Sequence, residues 1–219
     1  MKDKTNKRFW QRMAKLYAPF MKNAHTLYES ICERCRFYLT RKMNVLELAC
    51  GSGQLSFPLA EYAGHWEATD FSEKMVAEAK KRVHRPNLAF SVQDAINLPY
   101  ATASFDAVLI ANALHIMPEP GKVISEIHRV LKPGGILLAP TFIWGTDTRQ
   151  QIGEWVMARA GFRVFHKWSA DGFAAYVEAF GFKVLERETL GGSIRPLCCL
   201  IAQGTWVSPE NKEMKRDGT

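Results

Sequence analysis

The sequence predicts an α/β domain built on a doubly wound sheet, and three features predict it. Asn44-Val45-Leu46-Glu47-Leu48 reads as a short buried strand, because its apolar run is ended by glycines and suits a strand covered on both faces. Gly51 and Gly53 follow at once, where the backbone can turn sharply and approach a ligand closely. From there to about residue 202, apolar strand-like runs alternate with segments of helical spacing, as in a sheet wound by crossover helices.

Ahead of the first strand, residues 8–40 are helical in pattern. Phe9, Met13, Leu16, Tyr17 and Phe20, then Ala24, Leu27, Tyr28, Ile31 and Cys35, recur at three- and four-residue steps. Pro19 divides them into two helices. Their aromatics, Trp10, Tyr17 and Tyr28 among them, suit a lid over a pocket; plain packing against the sheet is the alternative.

After the glycine turn, Gln54 to Ala60 continues at helical spacing. Strand 2 is residues 65–69, ending at Asp70. An acidic residue there, about 20 positions past the glycine loop, is expected to accept from ribose hydroxyls. Ser72 and Glu73 already signal the next helix start, Glu73 to about Val83, so Asp70 is left for a ligand. Phe71 beside it can stack on a base, and Met75, Val76 and Ala79 form the helix's inner face. Strand 3, residues 88–92, leads to Asp94-Ala95, which can bond an adenine edge or simply form a turn.

Strand 4, residues 104–111, brings Ala111, Asn112 and His115 to the crevice at the C-terminal ends of strands 1 and 4. His115 is a candidate general base or substrate contact; a histidine bonded within its own loop is the alternative. A helix from Glu119 to Leu131 is stopped by Lys132-Pro133-Gly134-Gly135, and strand 5 covers residues 136–141. Residues 142–168 hold Trp144, Trp155 and Trp168 and an apolar helix at about 150–160. The stretch is long for a bare connection and predicts a second cap element. A helix at 173–180 follows, then strands at 182–187 and 195–202, an antiparallel pair at the sheet edge. Residues 208–219 are polar and expected to fray.

Composition narrows the class. The chain has 219 residues with 47% hydrophobic content, enough for one domain with appendages. The formal net charge of +7 would suit nucleic acid or an anionic surface, but the basic residues are dispersed and read as solvated faces. Five cysteines, no apolar leader and no apolar run near the ~20 residues of a membrane span predict a cytoplasmic protein with reduced thiols. Cys32-x-x-Cys35 has no second pair at zinc spacing, so no metal site is expected.

The glycine turn also carries a charge signature. No Lys or Arg lies between Asn44 and Pro58, and Ser56 stands where a dinucleotide loop wants its third glycine. Glu47 beside the turn would repel a phosphate and suits a cationic ligand such as S-adenosylmethionine. Glu47-Leu48-Ala49-Cys50-Gly51-Ser52-Gly53 resembles motif I of the class I S-adenosylmethionine-dependent methyltransferases of small-molecule type. Ala49 replaces the motif's first glycine and is expected at negative φ. Ala68–Ser72, Asp94-Ala95 with Leu98-Pro99, Ser104–Val108 and Ile127–Gly135 continue the resemblance in order.

The resemblance implies a seven-stranded sheet ordered 3-2-1-4-5-7-6 with strand 7 antiparallel. It divides the chain into an N-terminal helical cap (1–42), a methyltransferase domain (43–207) with a cap insertion at about 142–168, and a flexible tail (208–219). It places Glu47, Ala49, Gly51 and Gly53 around the methionine part of the cofactor, Asp70 on the ribose, and Asp94 and Ala95 on the adenine, with Phe71 and Met75 alongside. Asn112 lies near the cofactor carboxylate or sulfur, Ala111 and His115 are further cofactor contacts, and Tyr17 is on a helix folded over it. Trp10, Tyr28 and Trp144 are expected to line the acceptor pocket. The implied activity is methyl transfer to a small, partly apolar metabolite by in-line displacement, in a monomer or homodimer. An RNA or protein methyltransferase and a non-catalytic S-adenosylmethionine-binding protein are the alternatives. An NAD-dependent oxidoreductase is disfavoured by Ser56 and the acid-only loop.

Overall fold

The computed structural model describes residues 6, 9–12, 25–82, 85–144, 162–191 and 196–205. Tyr17, Pro19, the helix expected at about 150–160 and the polar tail lie outside the described residues. Among the described residues, eight strands form one sheet. They are β1 (Asn44–Leu48), β2 (His65–Asp70), β3 (Leu88–Val92), β4 (Phe105–Ile110), β5 (Leu131–Leu138), β6 (Thr141–Phe142), β7 (Phe182–Leu190) and β8 (Leu197–Gly204). The order is β3-β2-β1-β4-β5-β8-β6, with β7 paired to the other edge of β8. Strands β1 to β5 pair in parallel; β8 runs antiparallel to β5, β6 and β7.

Setting aside the two-residue β6, this is the expected order, with β8 as the antiparallel strand and β7 at the edge. Pro140 separates β6 from β5, because proline cannot donate to a ladder. Ala139 still donates to the Leu200 carbonyl at 2.8 Å, and pairing resumes at Thr141 opposite Cys198.

The helices are α1 (His25–Arg36), α2 (Ser56–Leu59), α3 (Glu73–Lys80), α4 (Pro120–Val130) and α5 (Ala170–Glu178). One core, packed by α4 and α5, takes Leu46, Leu48, Val108, Ile110 and Leu200 from the sheet. The other, packed by α1 and α2, takes Val45, Trp66, Leu109 and Ile201. The period of two along each strand produces this division, so Cys198 and Cys199 go to opposite cores. Ser72 caps α3 by accepting from the Met75 amide, and Ser169 caps α5 by accepting from Gly172.

Two boundaries differ from the sequence reading. α3 ends at Lys80, not near Val83. α4 ends at Val130, and Leu131 is already extended and paired with Phe105, so Lys132-Pro133-Gly134-Gly135 lies inside β5 as an irregularity. Gly135 makes that possible: a Cβ there would stand 2.9 Å from the Lys132 carbonyl oxygen and 3.1 Å from that of Asp106. Next to it, Arg129 holds the Glu126 carboxylate at 2.8 Å and donates to the carbonyls of Leu98 and Tyr100. With the Leu98 amide donating to Glu126 at 2.8 Å, this fastens the segment after β3 to α4.

Glu47 corrects the sequence reading most. Its side chain lies on the α1–α2 face of the sheet, 2% exposed, and one carboxylate oxygen accepts from Ser56 Oγ at 2.6 Å and Trp66 Nε1 at 2.8 Å. Burial pushes its pKa up to about 7, against the pull of those two bonds and with a smaller push from Asp70. The folded state therefore binds a proton that the unfolded chain releases near pH 4.5. The resulting penalty is absent below the unfolded pKa and grows to roughly 3 kcal/mol as pH rises to about 7. Glu47→Gln, which copies the protonated form, should flatten the fall in thermal midpoint between pH 5 and 7. An unchanged slope in scanning calorimetry would remove Glu47 as its source.

Candidate functional site

A cavity of about 220 Å³ opens at the C-terminal ends of the parallel strands. It sits where the chain leaves β1 toward β2 on one side and returns as β4 on the other, the position at which open α/β sheets bind ligands. Its walls come from four strand ends. The turn after β1 gives Ala49 and Gly51; β2 and the start of α3 give Asp70, Phe71 and Met75. Asp94 and Ala95 follow β3, and Ala111 and Asn112 follow β4. Trp10 comes from the N-terminal segment.

The turn is built from alternating left-handed residues: Ala49 at φ 54°, Gly51 at 58° and Gly53 at 86°. Ala49 therefore has positive φ, contrary to the sequence reading, in a region that costs a non-glycine residue about 1–2 kcal/mol. The Cys50 amide extends the β1–β2 ladder to the Thr69 carbonyl at 2.9 Å, which holds the backbone in this course. Gly53 faces away from the cavity; a Cβ there would meet the Phe57 ring at 2.7 Å, so this glycine serves packing behind the turn.

Asp70 closes the turn from the opposite strand. One carboxylate oxygen accepts from the Gly51 amide at 2.9 Å and the other from the Ser72 amide at 2.8 Å. The negative charge at the bend is thus that of Asp70, not of Glu47. A carboxylate at this place in the wall can accept from ligand hydroxyls. Asp94 accepts from the Ile96 amide at 3.3 Å, an aspartate turn whose carboxyl still borders the cavity.

Asn112 is also left-handed, at φ 52°, with its amide donating to the Pro140 carbonyl at 2.8 Å. Its side-chain oxygen and nitrogen are both buried and both without a hydrogen-bond partner. A buried amide left unpaired costs about 1–3 kcal/mol, and this one stands in the cavity wall. It fits a ligand that carries both a donor and an acceptor, as the amino-acid end of S-adenosylmethionine does.

Other expected site residues lie elsewhere. His115 is 4% exposed; its Nδ1 is 3.0 Å from Thr141 Oγ1, and its ring packs against Phe142 and Trp144. Burial pushes its pKa down to about 3, so it stays neutral, and the described cavity wall does not include it. Its carbonyl accepts from the amides of Phe165 and His166, a structural joint. Trp144 packs at a tilt against the His115 ring, and Tyr28 packs on the α1–α2 core; neither belongs to the described cavity wall. Unforeseen wall residues include Asn6, Gln93, Ile96, Ile116, Met117 and Val123. Ile96, Ile116 and Met117 follow motif residues closely and could have been inferred from that, whereas Asn6 carried no sequence signal.

This sheet order, with its cavity at the β1–β4 switch point, is the fold of the class I S-adenosylmethionine-dependent methyltransferases. Residues 46–139 match the family described as a methyltransferase domain. A demethylmenaquinone methyltransferase of Beutenbergia cavernae is 45% identical over 98 residues, covering 45% of this chain and 40% of that protein. A ubiquinone/menaquinone biosynthesis C-methyltransferase of Desulfotalea psychrophila is 39% identical over 97 residues, 42% of this chain and 38% of that one. The chain thus spans about two fifths of the length of these curated relatives. Among solved structures, a putative methyltransferase of Haloferax volcanii, in complex with the Trm112 activator, superimposes with a TM-score of 0.73. It is 18% identical and covers 90% of this chain and 98% of its own.

Asn112→Gly separates ligand binding from folding. Glycine keeps the left-handed backbone and removes the two unpaired atoms, so the ligand-free protein should gain about 1 kcal/mol, while affinity for S-adenosylhomocysteine falls about tenfold. Thermal denaturation beside titration calorimetry reads both; a loss of stability would show that the amide is already partnered.

Proposed function

We propose that this protein transfers a methyl group from S-adenosylmethionine to a small, partly apolar metabolite. The reading rests on one observation above all: a single cavity brings together the Asp70 and Asp94 carboxyls and the unpaired amide of Asn112. Asp70 would take the ribose hydroxyls and Asp94 with Ala95 the adenine edge. Phe71, 37% exposed at the rim, offers a face to the base. Ala49, Gly51 and Asn112 would border the amino-acid end.

When bound, S-adenosylmethionine supplies a methyl group activated on a sulfonium. The chain's own part is alignment and exclusion of water. The cavity wall is mostly apolar toward Trp10, Ile96, Ile116, Met117 and Val123, which suits an acceptor with an apolar ring. Demethylated quinols are the first acceptors to try, since the relatives are named for quinone substrates. No Lys or Arg belongs to the described wall, which speaks against a phosphate-bearing nucleic-acid strand there. His115, buried and neutral, is not used as a base in this reading. Five free thiols suit a reducing, cytoplasmic setting. Among the described residues, no helix is long and apolar enough to cross a membrane.

Radiolabelled cofactor offered with a metabolite panel that includes demethylated quinols tests the activity; label retained on the cofactor across the panel would overturn it. For the site, Asp70→Ala should lower S-adenosylhomocysteine affinity by about thirtyfold or more, through loss of charged hydrogen bonds. Asp94→Ala should cost less. Equal affinities in calorimetry for wild type and Asp70→Ala would end the ribose assignment.

A further inference from the structure

Asn6 and Trp10 line the cavity, and the described residues around them are tied on two sides. Asn6 and residues 9–12 are helical, so Asn6, Phe9 and Trp10 share a face at i, i+3 and i+4 spacing. On one side, the Asn6 side chain donates to the carbonyls of Ile116, at 2.9 Å, and Arg163, at 3.0 Å. Its oxygen accepts from the Arg163 amide at 2.9 Å. On the other side, Gln11 donates to Glu73 at the start of α3, at 2.9 Å. Trp10 lies between the two ties and lines the cavity.

The ties are unequal. Asn6 is 8% exposed, uses three of its four hydrogen-bonding capacities and is backed by Phe9, Trp10 and Phe162, whose ring centroids are 5.1–5.7 Å apart. The Gln11 side chain makes one bond to Glu73, and that bond is exposed to water. Buried multiple bonds outweigh one solvated bond.

We propose that Asn6 is a positioning residue, the anchor that holds Trp10 across the cavity and thereby governs ligand exchange. The anchor joins three stretches of chain: the N-terminal segment, the loop after β4 and the segment ahead of α5. Two of these lie outside residues 46–139, so the closure belongs to this chain's own appendages. The proposal rests on the cofactor reading above, because S-adenosylhomocysteine is the probe.

Stopped-flow binding of S-adenosylhomocysteine tests it. Asn6→Ala should raise both the association and the dissociation rate constants about tenfold, the effect of losing one to two net hydrogen bonds. Gln11→Ala should change each less than about threefold, as one exposed bond would. A merely structural loss would not speed association. Rates within twofold of wild type in Asn6→Ala, or equal acceleration in Gln11→Ala, would overturn the anchor. If Asn6→Ala does not fold, Trp10→Ala leaves the three bonds in place and should still speed association; unchanged association would overturn the proposal. Wild-type protein that fails to bind S-adenosylhomocysteine would overturn the cofactor reading beneath it.

Discussion

Two backbone amides, those of Gly51 and Ser72, converge on the single carboxylate of Asp70. The first belongs to the turn that leaves β1 and the second to the start of α3, so one side chain fixes the spacing of two strand ends. Much else depends on that spacing. The left-handed course of Ala49 and Gly51 is held against it, Phe71 is carried to the rim by it, and Met75 is buried one turn further along. A fully charged-looking crevice would be a poor place to bury a carboxylate. Here the backbone donors meet the half-buried carboxylate on both oxygens, which offsets its loss of water.

Strain and unmet bonding gather at the same place. Ala49 and Asn112 are two of the three non-glycine residues with positive φ among the described residues, and both face the cavity. Asn112 also carries one of the few buried side chains without partners. Each is costly for the fold alone. Their co-location is the usual mark of a surface shaped for something other than the chain itself.

Much of the sheet was legible because its signals are local. The near-continuous apolar runs of β4 and β8, the glycines after β1 and the serine caps of α3 and α5 can all be read from neighbouring residues. The site was legible where the motif supplies a backbone turn or a residue at a strand end, as at Gly51, Asp70 and Asp94. It was not legible where position depends on which face a side chain takes. Glu47 looked like a wall of the cleft, yet strand alternation turns it toward Trp66 and Ser56. His115 follows β4 as a ligand contact would, but its loop folds it onto Thr141. Asn6 was invisible because its partners are 110 and 157 positions away. Arg82 was missed for the same reason: it reaches the back of the base-free turn from the end of α3, donating to the Ser52 carbonyl and covering the Phe57 ring.

The edge strand β7 has a further significance. Among the described residues it pairs along one side only, with β8, and its outward residues include Lys183, Leu185 and Arg187, while Glu186 and Glu188 are held by Arg34 and Tyr38. Lysine and arginine on a bare margin discourage a neighbouring molecule from continuing the ladder. The sheet therefore ends in a margin that carries a lysine and the Arg187–Asp171 ion pair, charged groups that a neighbouring strand would have to desolvate before it could pair there.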